Sequence, residues 1–103
     1  MVTIIRQHLE ELVCLCRRYR VKRLELFGSA GTENGFQPDR SGLDFLVAFQ
    51  PMSPREHAKA YFGLLAQMQD LFGCPIDLVE IEAVRNPYFL EQVNRSKQEI
   101  YAA

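Results

Sequence analysis

The chain has 103 residues, 48% hydrophobic and 24% charged, with a formal net charge of −1. That size suits a single domain over 1–103, and the mixture excludes a disordered or low-complexity chain. Near-balanced charge argues against direct nucleic-acid binding, no apolar run approaches the ~20 residues of a membrane helix, and the first residues lack the apolar stretch of a signal peptide, so a cytoplasmic location is expected.

Residues 4–19 predict a first helix. Ile5, Leu9, Leu12, Val13, Cys16 and Tyr19 recur at helical spacing and read as one core-facing stripe. Arg17, Arg18, Arg20, Lys22 and Arg23 follow within seven residues. Cations suit the end of a helix, where carbonyl groups are left unpaired, so the cluster reads first as a helix end. The three cysteines are Cys14, Cys16 and Cys74. An odd number without a secretion signal predicts free thiols, and Cys14 and Cys16 should point to different sides of the helix.

Residues 21–27 predict a strand with Leu24 and Leu26 on one side. Residues 28–40 hold Gly28, Ser29, Gly31, Asn34, Gly35, Pro38 and Asp39, which is loop chemistry. Residues 43–49 form a second strand, apolar at every position after Asp44. Such a run suits a strand covered on both faces.

Ser53 and Glu56 stand at capping-box spacing, with Pro54 at the first helical position. The helix they open carries Ala58, Tyr61, Leu64, Leu65, Met68, Leu71 and Phe72 on one broad face, and Gly73 is its natural stop. Residues 76–81 predict a third strand. Asn86-Pro87 opens a last helix, ending near 94, and residues 99–101 predict a short edge strand. The order predicts an α/β or α+β fold: a small mixed sheet with helices mainly on one face.

Three features could converge on one site. Gly28-Ser29 directly follows the first strand, Asp44 lies near the start of the second and Asp77 near the start of the third. Neighbouring strands would bring the two carboxylates to one end of the sheet. A Gly-Ser turn there offers backbone N–H groups and a hydroxyl to a phosphate, and carboxylates can hold Mg²⁺. The P-loop pattern is absent, because no Gly-Lys-Ser/Thr follows the glycines.

Leu26-Phe27-Gly28-Ser29, the loop, Ser41-Gly42-Leu43-Asp44-Phe45-Leu46-Val47 and then Pro75-Ile76-Asp77-Leu78-Val79 together resemble the minimal nucleotidyltransferases of the DNA polymerase beta-like superfamily. The resemblance covers nearly the whole chain. It implies transfer of AMP from MgATP to a hydroxyl of a partner protein. The implied partner is a small helical HEPN toxin, with this chain as its antitoxin. By the same resemblance Gly28 and Ser29 would touch the nucleotide phosphates. Asp44 and Asp77 would be the catalytic, metal-binding carboxylates.

The family pattern places a further Asp two residues before Asp44, and this chain has Gly42 there. One ligand of three is missing, which predicts impaired transfer. Asp39 and Glu25 are the nearby carboxylates that could stand in. Glu80 is three along from Asp77, so strand alternation sends it to the opposite face. The other reading is an antitoxin without catalysis that binds nucleotide or toxin and acts by contact.

Overall fold

A computed structural model of the chain describes residues 3–27 and 42–103. Helices α1 (Thr3–Gln7) and α2 (Leu9–Arg18) precede strands β1 (Val21–Phe27) and β2 (Leu43–Phe49). Helix α3 (Pro54–Phe72), strand β3 (Ile76–Glu80), a 3₁₀ turn (Ile81–Ala83), helix α4 (Pro87–Ser96) and strand β4 (Gln98–Ala102) complete the order. The strands form one mixed sheet, β3-β2-β1-β4, with β2 and β3 parallel and the other neighbours antiparallel.

The predicted helix over 4–19 is two helices. The His8 N–H bonds the Ile5 carbonyl three residues back, at 3.2 Å, and so tightens the chain by one step. The His8 ring packs edge-on to Phe72 at 5.7 Å. That tertiary contact holds the joint, and no breaker residue in the sequence announces it.

Helix α3 forms as its caps predict. Ser53 Oγ accepts the Glu56 N–H at 3.2 Å, Pro54 occupies the first turn, and Gly73 ends the helix in the left-handed region at φ 64°. A cap of this kind contributes about 1 kcal/mol. The long crossover lets β3 run parallel to β2 beside it.

The main core lies between α1–α3 and one sheet face. Leu24, Leu26, Leu43, Phe45 and Val47 meet Leu12, Leu64 and Met68 there. Each fully buried side chain contributes roughly 1.5–3 kcal/mol. A smaller cluster of Phe27, Leu46 and Val93 lies on the other face, with Val79, Ile81 and Phe89 packed against it. Strand β2 is therefore covered on both sides, and the helices lie mainly on one face. Gly63 lets α3 pass the Tyr19 ring, where a β-carbon would stand 2.5 Å from Tyr19 Cε1.

Two expected core faces are narrower than their periodicity. Leu9 and Val13 are half-buried and join neither cluster. Ala60 is buried in α3, whereas Ala58 is exposed. The core takes only the side chains that α2 and α3 present to the sheet, and the rest of each apolar stripe stays at the surface. Among the described residues no helix is long and apolar enough to cross a membrane.

Candidate active site

Side chains alternate along a strand, so the sheet's two faces sort the carboxylates. Leu43, Phe45 and Val47 of β2 fill the main core, which turns Asp44 and Leu46 to the opposite face. The parallel register pairs Asp44 with Asp77 and Leu46 with Val79. The two aspartates are thus lateral neighbours on adjacent strands, as the sequence anticipates.

Their environments differ. Asp77 is exposed and Asp44 is half-buried. Burial first, and the neighbouring Asp77 carboxylate second, push the Asp44 carboxyl above its ordinary value. A carboxylate held under that strain is relieved by a proton or a cation. The oxygen donors suit a hard divalent ion such as Mg²⁺. Among the described residues no third His, Cys, Asp or Glu joins them in a metal-binding group.

Gly28 and Ser29 lie outside the described residues, as does Asp39. Phe27, the residue before Gly28, is the cross-strand partner of Asp44 and stacks edge-on to Phe89 at 5.5 Å. The end of β1 is therefore anchored beside Asp44 by packing against α4.

Gly42 stands where the resemblance set out above implies a first carboxylate. It has φ +67°, and the following Leu43 N–H donates to the Pro75 carbonyl at 2.9 Å. A β-carbon at 42 would lie 2.6 Å from that carbonyl oxygen. The backbone here takes a conformation and a clearance that glycine alone supplies at no cost. This glycine is built into the junction of β2 with the segment entering β3.

Two other described carboxylates, Glu25 and Glu80, are committed elsewhere. Glu25 shares the face of Asp44 but is only 5% exposed, with Lys97 Nζ 3.5 Å from its Oε2. The neighbouring charge that raises Asp44 is that of Asp77. Glu80 faces α3, as alternation predicts, and pairs with His57. Beside it the Tyr61 hydroxyl donates to the Leu78 carbonyl at 2.6 Å. Burial, then Glu80, then Asp77 raise the Tyr61 phenol. The Glu25–Lys97 pair escaped sequence reasoning, because the two residues are 72 positions apart and no motif links them.

The sequence pattern of the family described as Polymerase beta, Nucleotidyltransferase matches residues 10–103. The chain belongs to this family of nucleotidyltransferases. It is 32% identical over 90 residues to a Methanocaldococcus jannaschii protein named "Putative protein adenylyltransferase MJ0128", covering 87% of this chain and 84% of that one. A solved structure described as a minimal nucleotidyltransferase is 30% identical and superposes with a TM-score of 0.65, over 91% of this chain and 90% of that one. The fold also matches, at TM-score 0.63 and 17% identity, a chain in the complex of a tri-AMPylated Shewanella oneidensis HEPN toxin with MNT antitoxin; 95% of this chain and 72% of that one are covered.

Proposed function

We propose that this chain transfers AMP from MgATP to a hydroxyl of a partner protein, slowly, with Asp44 and Asp77 as its catalytic and metal-binding carboxylates. The observation that carries this reading is the in-register Asp44–Asp77 pair, in which Asp77 burdens a half-buried Asp44. The adenylyltransferase relative supports AMP as the transferred group. The AMPylated toxin in the structural neighbour supports a small HEPN-type protein as acceptor.

In the reaction the acceptor hydroxyl oxygen attacks the α-phosphorus of ATP. A new P–O bond forms, the bond to the β-phosphate oxygen breaks, and pyrophosphate leaves. Bound Mg²⁺ would neutralise the phosphate oxygens as charge builds on them. Asp44 and Asp77 would hold it, and Asp77, the more exposed of the two, would draw the proton from the incoming hydroxyl. Gly28 and Ser29 would contact the phosphates through N–H groups and the hydroxyl. With no carboxylate at 42, one charge-stabilising contact is missing, which costs on the order of 10²–10³ in rate.

A second reading has one observation in its favour. The left-handed, tightly packed Gly42 accommodates no side chain without backbone movement. A fold that has settled around that glycine suits an antitoxin that works by contact.

The deciding experiment follows α-labelled AMP from MgATP onto proteins that copurify with this chain. The wild type, Asp44→Asn and Asp77→Asn are compared. Label transferred by the wild type and lost from both variants supports the transfer reading. Equal labelling by all three would remove both aspartates from the mechanism. No label from any of them, with the partner still bound, would establish the contact reading.

A further inference from the structure

Helix α2 has an apolar strip that the core does not use. Leu9 and Val13 belong to neither buried cluster. They line a shallow groove of about 370 Å³ together with Glu10, Cys14 and Arg17. Glu10, Cys14 and Arg17 are exposed. Among the described residues neither Glu10 nor Arg17 makes an ion pair.

The charges on this strip are ordered. Glu10 and Glu11 lie in the first turn of α2, and Arg17 and Arg18 in the last. Glu10 and Arg17 are seven residues apart, two helical turns and about 10 Å, so they share a face. The midpoint between them falls between Val13 and Cys14.

We propose that α2 is a self-association surface, on which a second copy of this chain docks its own α2 antiparallel across a twofold axis near Val13 and Cys14. A half-turn about that point lays Glu10 of each copy against Arg17 of the other. Val13 of one copy faces Cys14 of the second, and Leu9 closes each end. The pattern is self-complementary, as a twofold interface requires. Antiparallel helices also oppose their dipoles favourably, whereas a parallel arrangement would set Glu10 against Glu10 and Arg17 against Arg17. Ten residues make a small contact, so the dimer is weak and depends on concentration and salt.

The test combines sedimentation with crosslinking. The wild type shows a monomer–dimer equilibrium that weakens as salt rises. Glu10→Lys and Arg17→Glu each weaken it roughly tenfold, because both symmetry-related pairs turn from attraction to repulsion. The double variant carries reversed but matching charges and recovers the wild-type affinity. These residues are exposed, and circular dichroism confirms that each variant is folded. Cys14 supplies a readout that needs no charge change. Cys16 is buried with its thiol pushed up to about 12, and Cys74 is half-buried and also raised, so a short bis-maleimide selects the exposed Cys14. It joins two wild-type chains through Cys14. A wild type that stays monomeric up to its solubility limit overturns the proposal. So does a double variant no better than the singles, or a dimer not crosslinked at Cys14.

Discussion

Gly42 and Pro75 meet so closely that a β-carbon on the glycine would sit 2.6 Å from the proline's carbonyl oxygen. Because that carbonyl also accepts the Leu43 N–H, it cannot retreat without breaking the hydrogen bond that joins the two segments. Sequence comparison alone would present Gly42→Asp as the simple way to complete the carboxylate set. The structure assigns that change a stability cost. We expect a loss of about 1–3 kcal/mol for Gly42→Asp and a similar loss for Gly42→Ala, since the strain comes from the backbone and the β-carbon. Chemical denaturation of the two variants checks this. Two variants as stable as the wild type would contradict the close packing.

Asp44 gives a stability prediction of opposite sign. Its folded-state carboxyl is raised above the unfolded value by burial and by Asp77. Its favourable contribution is therefore fully present below the unfolded value and is lost as pH rises through the folded one. At neutral pH the ionised group weakens the fold. Asp44→Asn should raise Tm at pH 7 in the absence of divalent cations, and the gain should vanish at low pH. Thermal melts across pH measure this directly.

The same strain makes the pair responsive to cations. Mg²⁺ that binds the folded chain stabilises it by mass action. Wild-type Tm should climb with Mg²⁺ concentration in chelator-treated protein, and the climb should disappear in Asp44→Asn and in Asp77→Asn. A climb that survives in both variants would place any cation elsewhere.

Glu25 and Lys97, far apart in sequence, form the pair that ties the approach to β4 to the centre of the sheet. Glu25 is almost fully buried and Lys97 about one-third exposed. Lys97→Met leaves the carboxylate buried without its partner, at a cost of about 1–3 kcal/mol. Replacing both, as Glu25→Gln with Lys97→Met, should recover most of that loss. A double-mutant cycle in denaturant provides the measurement.

The sequence by itself determined most of the elements and named Asp44 and Asp77 as candidates. The bounds of β1 and β2, the Ser53 cap, the Gly73 stop and the Asn86-Pro87 helix start are local signals, carried by side-chain alternation, capping chemistry and glycine or proline geometry. Asp44 and Asp77 were legible as aspartates one residue into their strands, and the parallel, in-register pairing that brings them level came from the tertiary structure. Only the tertiary structure decided what depends on packing between distant segments. The joint at His8 exists because that ring docks on Phe72. Leu9 and Val13 remain at the surface because the sheet accepts one side of α2. Glu25 is committed to Lys97 because β4 returns beside β1. Gly42 resists a carboxylate because Pro75, 33 residues later in the chain, occupies the space a β-carbon needs. Periodicity and motifs describe what a segment can present, and the room left by its neighbours decides what it does present.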